Sequence, residues 1–460
     1  MNPEISRRQF VQATASIAAA PLIAMASDAP PPPPPTRRPN VILIMLDDLG
    51  AADAGCYGAK DLLTPNIDAL AASGIRFTDF HSAAPLCSPS RAGSLTGRYP
   101  TRAGLESNAS SEHGSPNGLA PDEVTLAQIL KGAGYITGHV GKWHLGYADN
   151  LMPNAKGFDS SFGHMGGCID NYSHFFYWEG PNRHDLWQNG TEIWREGQNI
   201  GDLEVEECRR FVEANKEKPF FLFWAINQPH YPLQGKAKWR EHYKDLPSPR
   251  SMYAASVSTL DELIGQVMGK VRALGVANDT IIILQSDHGH STEERTFGGG
   301  GSAGPYRGAK YSMFEGGHRM VSMISYPGVL PQGVVRDQFV TGCDWLPTIA
   351  ELTGAPLPKR RLDGKSMAPI LRSGTAPAQH SWFHWQLGKQ WAVREGDWKL
   401  IGNPVDSSHK APLAADDKLF LSNLAQDVSE MKNLAHDHPE IVQRLSALHE
   451  EWIADVKDRS

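Results

Sequence analysis

The stretch Pro39-Asn40-Val41-Ile42-Leu43-Ile44-Met45-Leu46-Asp47-Asp48 decides the fold. Its six consecutive apolar residues, stopped by two aspartates, read as a strand with no polar face. Such a strand must be covered on both sides, as in a parallel sheet between two helical layers. Runs of the same kind occupy residues 219–226 and 280–285. Helical patterns fall between them, at residues 65–73, 125–134, 203–215 and 252–274. The alternation predicts an α/β fold, with a large, mainly parallel sheet flanked by helices on both faces. Ligands of such sheets sit beyond the carboxyl ends of the strands. Asp47-Asp48 and Asp287-His288 both stand just past strand ends.

The texture changes on either side of this region. After residue 376, the stretches 382–385 and 391–401 read as short strands of an antiparallel sheet, with Glu395-Gly396-Asp397 as a hairpin turn. A helix over 438–456 closes the chain, so residues 377–460 are expected to form a smaller α+β subdomain. At the other end, Ser6-Arg7-Arg8-Gln9-Phe10 is a twin-arginine pattern. An apolar stretch follows and ends in Ala24-Met25-Ala26, a small-x-small cleavage site. Residues 1–26 are therefore expected to be a twin-arginine signal peptide. That implies a bacterial chain passed through the twin-arginine export machinery to the periplasm or the medium. Residues 27–38, with six prolines from Pro30 to Pro35, are expected to be a stiff linker. No later stretch has the roughly 18 apolar residues of a membrane span. The glycine run Gly298–Gly301 reads as a flexible loop.

Composition excludes several classes. A net charge of −7 over 460 residues gives no electrostatic footprint for nucleic acid. The five cysteines, Cys56, Cys87, Cys168, Cys208 and Cys343, are scattered and odd in number. They form neither a disulfide framework nor a cysteine zinc site. Only Cys87 has a telling context, Cys87-Ser88-Pro89-Ser90-Arg91-Ala92-Gly93-Ser94-Leu95-Thr96-Gly97-Arg98. Ser88-Pro89 suits the first turn of a helix, which puts Cys87 at the amino end, where backbone N–H groups favour negative charge. Arg91, at i+4, lies on the same side. A nucleophile, a helix amino end and an arginine make an anion site.

The C-x-P-x-R core with its Leu-Thr-Gly-Arg tail resembles the signature of the type I sulfatases, in the alkaline phosphatase superfamily. The resemblance implies that a formylglycine-generating enzyme oxidises Cys87 to formylglycine. Residues 39–376 would then be the sulfatase catalytic domain. It also implies one divalent ion, calcium, held by Asp47, Asp48, Asp287, His288 and residue 87. Paired carboxylates at strand ends supply the oxygen ligands that a hard dication needs. The family commonly has Asn where this chain has His288, and an imidazole is the softer ligand. Gly141-Lys142-Trp143-His144-Leu145-Gly146 is a second match. On an extended segment Lys142 and His144 would share one side. By resemblance Lys142 contacts sulfate and His144 orients or deprotonates formylglycine. His230, in Gln228-Pro229-His230, would protonate the leaving alcohol, and Lys310 would be a second sulfate-binding lysine. After Glu315-Gly316-Gly317-His318-Arg319 the chain has Met320-Val321, where the family commonly shows proline. The match reaches the C-terminal strands and helix.

The substrate is expected to be a sulfate ester, on carbohydrate. An insert over 170–194 carries Tyr172, His174, Phe175, Phe176, Tyr177, Trp178, Arg183, His184 and Trp187. Aromatic faces with polar neighbours suit sugar stacking. His174, Arg183 and His184 are the expected substrate contacts. Aryl sulfates, or phosphonate and phosphate esters, are the alternative substrates. A non-catalytic sulfated-glycan binder would need no such complete set of catalytic groups.

Overall fold

The computed structural model describes residues 37–178, 182–414 and 417–460. The expected signal peptide and nearly all of the expected linker lie outside the described residues. Among those described, no helix is long and apolar enough to cross a membrane.

Strand Asn40–Asp47 is central and buried along its whole length. It pairs in parallel with Phe220–Pro229 on one side and Thr280–Ser286 on the other. Across the ten-stranded sheet the order is Val334–Arg336, Ile75–Phe77, Ser322–Ser325, Thr280–Ser286, Asn40–Asp47, Phe220–Pro229, Ile136–Gly141, Ser160–Gly163, Trp187–Gln188 and Thr191–Glu192. The middle of the sheet is parallel, and antiparallel pairs enter towards both edges. Those edge strands are short, too short to show in the sequence as apolar runs.

The two faces follow from alternation along the central strand. Val41, Leu43 and Met45 join one core, with Leu95, Leu126, Leu130, Trp345 and Ile349. Ile42, Ile44 and Leu46 join the other, with Ile67, Leu203, Val205, Leu260 and Ile264. Helices Cys87–Thr96, Leu126–Gly132 and Trp345–Thr353 therefore cover one face, and Pro65–Ala72, Ile200–Asn215 and Arg250–Ala273 the other. At roughly 1.5–3 kcal/mol per fully buried aliphatic side chain, the central strand alone repays much of the cost of ordering it. Helix Leu126–Gly132 starts at a capping box. Thr125 Oγ1 accepts from the Gln128 amide at 3.2 Å, and Gln128 Oε1 accepts from the Thr125 amide at 2.9 Å.

Register places the site. Leu46 pairs with Ser286, and Asp47 lies opposite Pro229. Three strands thus end side by side, and Asp47-Asp48, His230 and Asp287-His288 emerge along one rim. The C-terminal residues form a four-stranded antiparallel sheet, Trp382–Leu387, Gln390–Glu395, Trp398–Gly402 and Leu419–Asn423, with helix Pro439–Asp455. Buried ion pairs bind it to the rest of the fold, Arg394 to Asp79 at 2.7 Å and Lys399 to Glu315 at 2.9 Å, and Lys399 also pairs with Glu430 of the C-terminal region at 3.2 Å.

Candidate active site

Cys87 begins helix Cys87–Thr96 and is 1% exposed. Ser88 anchors that first turn, its amide donating to Asn108 Oδ1 at 3.1 Å and its Oγ accepting from the Ala109 amide at 2.9 Å. Gly97, with φ 68°, ends the helix in the left-handed conformation that glycine adopts without strain. Cys87 Sγ lies 3.1 Å from His288 Nε2 and 3.8 Å from Asp47 Oδ1. One ligand atom from each of Asp47, Asp48, Cys87 and His288 can be chosen so that all lie within 4.8 Å of one another. Asp287 stands alongside, its Oδ1 3.5 Å from His288 Nε2 and 3.3 Å from the Asp48 amide.

Three buried cations face these anions. Lys142 Nζ donates to Asp47 Oδ2 at 2.6 Å, and Lys310 Nζ to Asp48 Oδ1 at 2.9 Å. Arg91 donates to Asp287 Oδ2 at 2.9 Å and to the Lys142 carbonyl at 3.1 Å. Burial raises the Asp47 carboxyl, but Lys142, His230, Arg91 and Lys310 outweigh it and hold it well below the usual range. Burial, aided by Asp47 and Cys87, pushes Asp48 up to about 7 against the pull of Lys310 and His288. Asp287 is likewise pushed up to about 6, mainly by burial. Burial opposes ionisation of Cys87, yet Lys142, Lys310 and His288 bring the thiol down to about 6.

Four acidic side chains, Asp47, Asp48, Asp287 and Cys87, thus meet three buried cations, Lys142, Lys310 and Arg91, which leaves a surplus of acidic groups. A dication fits this surplus. The His288 ring supports the fit. Its Nδ1 donates to the Gly289 carbonyl at 2.9 Å, which leaves Nε2, beside Cys87, as the atom with a lone pair to offer.

Gly141 turns the chain from strand Ile136–Gly141 into this cluster. Its φ is 100°, and a Cβ there would sit 2.1 Å from the Ala225 carbonyl oxygen. The segment beyond is not the extended one expected from sequence. His144 has φ 53°, and Trp143 and His144 hang on the His164 and Met165 carbonyls. The bend still lets Lys142 reach Asp47 and His144 line the cleft above.

Residues 39–355 match the family model described as Sulfatase, and residues 308–457 match that described as N-sulphoglucosamine sulphohydrolase, C-terminal. The chain belongs to the type I sulfatase family. It is a sulfuric ester hydrolase. Arylsulfatase A of Homo sapiens is 33% identical over 448 residues, covering 89% of this chain and 87% of that protein. N-acetylgalactosamine-6-sulfatase of Sus scrofa is 34% identical over 354 residues, covering 73% and 66%. The crystal structure of Ps i-CgsB in complex with k-i-k-neocarrahexaose has a TM-score of 0.79 and 31% identity, covering 90% of this chain and 93% of that one.

In this sulfatase the cluster lies beneath an open cleft of about 530 Å³, which Cys87, His144, His230 and Lys310 line. His230 Nδ1 donates to the Tyr231 carbonyl at 2.9 Å, so Nε2, 3.7 Å from Asp48 Oδ2, is the nitrogen that can exchange a proton. Of the three expected substrate contacts, Arg183 lines the cleft, stacking over Phe176 and donating to the Ser111 carbonyl at 2.8 Å. His174 and His184 are not in the lining. His174 Nε2 meets the Gln198 carbonyl at 3.0 Å, and His184 stacks on Trp194 at 3.8 Å with its Nδ1 on Glu192. Both help hold the insert in shape, and His174 Nδ1 and His184 Nε2 have no hydrogen-bond partner among the described residues. Asn108, Glu112, Arg295 and Tyr311 also line the cleft, and sequence reasoning missed them. Arg295 falls in a charged run before the glycine loop, where no period or motif marks it.

Proposed function

We propose that the protein hydrolyses sulfate esters of carbohydrates, using a formylglycine made from Cys87 and a calcium ion held by residue 87, Asp47, Asp48, Asp287 and His288. The observation that carries this reading is the meeting of Cys87 with two aspartates and an imidazole under three buried cations, at the floor of an open cleft. Hydrated formylglycine supplies two hydroxyls on one carbon, one to attack sulfur and one whose deprotonation lets sulfate depart. Calcium, when bound, supplies positive charge beside the sulfate oxygens and the attacking hydroxyl.

The chain's own side chains do the remaining work. Lys142 and Lys310 balance the sulfate charge from rigid, buried positions that need no reorganisation during reaction. Arg91 fixes the Asp287 carboxylate and adds charge beside residue 87. His230 gives a proton from Nε2 to the leaving oxygen, its ring oriented by the Tyr231 carbonyl. His144 takes a proton from residue 87.

A carbohydrate substrate is supported by the aromatic wall of the cleft and by Ps i-CgsB, whose structure holds a neocarrahexaose. The proposal includes maturation by a formylglycine-generating enzyme and twin-arginine export from a bacterial cytoplasm to the periplasm or medium. Residues 6–10 and 24–26 are the support for export. It also assigns catalysis to residues 39–376, which hold every catalytic and metal-binding residue proposed above. The test is free sulfate released from a panel of sulfated mono- and oligosaccharides, with matched phosphate and phosphonate esters alongside. Enzyme carrying formylglycine should release sulfate from at least one sulfated sugar. Turnover confined to the phosphorus esters or to aryl sulfates would refute the carbohydrate assignment.

A further inference from the structure

The side of the cleft that meets the leaving alcohol is built around an arginine with no part in the chemistry above. The Arg295 guanidinium lies over the Trp178 ring, 3.7 Å from its centroid, and 4.6 Å from that of Tyr231. Tyr231 in turn packs against the His230 ring at 3.9 Å. Arg295 is therefore one aromatic layer beyond the group assigned to protonate the leaving oxygen. Arg295, Trp178, Tyr231 and His230 line one cleft with Cys87.

The arginine is held and aimed. Nε and Nη2 both donate to Glu293 Oε1, the first at 2.9 Å. Glu293 is itself tied to Ser291 Oγ at 2.9 Å and approaches Lys310 Nζ at 3.7 Å. Nη1 has no hydrogen-bond partner among the described residues, and the side chain keeps 16% exposure. A planar cation fixed on two rings, with one nitrogen's two N–H groups unspent, is preorganised for an oxyanion. Trp178, 45% exposed, offers a platform for a sugar ring beside it. At the Arg183 end the cleft carries Glu112, next to the Ser111 that accepts from Arg183.

We propose that Arg295 is a specificity residue that recognises a second oxyanion on the leaving alcohol, so that the preferred substrate is a polyanionic saccharide. The inference rests on the sulfatase reading of the site and names the chemistry of its leaving-group side. The occupant of Nη1 is a second sulfate or a ring carboxylate, which share the chemistry of a charge-assisted acceptor.

The test compares kcat/KM for three saccharides that differ only in the second group: a neutral hydroxyl, a sulfate or a carboxylate. Formylglycine-bearing wild type should prefer one of the anionic sugars by about 10- to 100-fold, the range of a charge-assisted hydrogen bond. Which of the two is preferred identifies the source. Arg295→Met should bring the ratio close to one, and Arg295→Lys should keep part of it. Glu293 loses its partner in Arg295→Met and sits near Lys310, so Arg295→Met/Glu293→Gln is measured too. Damage relayed to Lys310 slows all three sugars alike and cancels in the ratio. A wild-type ratio near one, or a preference that survives both methionine variants, overturns the inference alone. No turnover of any sulfate ester by wild type overturns the underlying reading and this inference with it.

Discussion

Replacing His230 with glutamine separates general-acid catalysis from simple binding. Nδ1 is spent on the Tyr231 carbonyl and the ring is packed on Tyr231, so Nε2 is the ring nitrogen left to take up a proton and pass it to the leaving oxygen. Glutamine keeps a polar group of similar length but cannot carry a proton to an alkoxide. A positioned general acid contributes about 10²–10⁴ in rate, or roughly 3–5 kcal/mol of barrier. That contribution depends on the leaving group. A sugar alkoxide needs the proton, whereas a nitrophenolate leaves without it. Release of sulfate from a sugar sulfate and from nitrophenyl sulfate should therefore be measured for both enzymes at one pH. The variant should lose about 10²–10⁴ on the sugar ester and less than about tenfold on the aryl ester. Equal losses on the two esters would refute the acid role and leave His230 a binding or packing residue.

Other outcomes follow from buried charge and from backbone geometry. Lys399→Met strands Glu315 and Glu430 without their shared cation and should cost about 3–5 kcal/mol, read as a lower denaturant midpoint. Adding Glu430→Gln should recover part of that loss, and full additivity of the two changes would contradict the shared network. Gly141→Ala forces a Cβ against the Ala225 carbonyl at positive φ, so its melting temperature should fall and its soluble yield with it. Burial opposes ionisation of Asp79, but Arg394, His81 and Arg319 outweigh it and hold the carboxyl far below its ordinary value. Its stabilising effect is therefore full above the unfolded value of about 3.9 and fades as pH falls towards the lowered folded value. Arg394→Met should flatten the acid limb of the stability curve, and an unchanged limb would remove Asp79 from the account. Treatment with a strong chelator should lower both activity and melting temperature, with calcium restoring both. A melting temperature indifferent to chelator and calcium would count against a metal among these aspartates.

The parts of the molecule that were legible in the sequence are those in which one local pattern has one physical solution. Six apolar residues ahead of Asp47-Asp48 leave little but a strand covered on both faces. Ser88-Pro89 after Cys87 leaves little but a helix start. The convergence of residues 47–48 and 287–288 needed only parallel strands in register, and residue 87 joins them from the amino end of a helix. Short strands at or next to the sheet edges, such as Ile75–Phe77 and Thr191–Glu192, carry too few residues to show a period. His174 and His184 had the chemistry of ligands, and only tertiary packing shows that they lie outside the cleft lining, against Gln198, Glu192 and Trp194. Arg295 and Glu293 were silent for the opposite reason. Their meaning comes from Trp178 and Lys310, which lie far from them in the chain. The buried array of Asp79, His81, Glu315, His318, Arg394 and Lys399 was missed in the same way.

The most direct test of the central claim is the mass of the peptide that carries residue 87, taken from enzyme of known sulfatase activity. The account predicts that activity rises in proportion to the fraction of that peptide bearing an aldehyde, and that Cys87→Ala protein releases no sulfate. Full activity in protein whose residue 87 is wholly unmodified cysteine would contradict it.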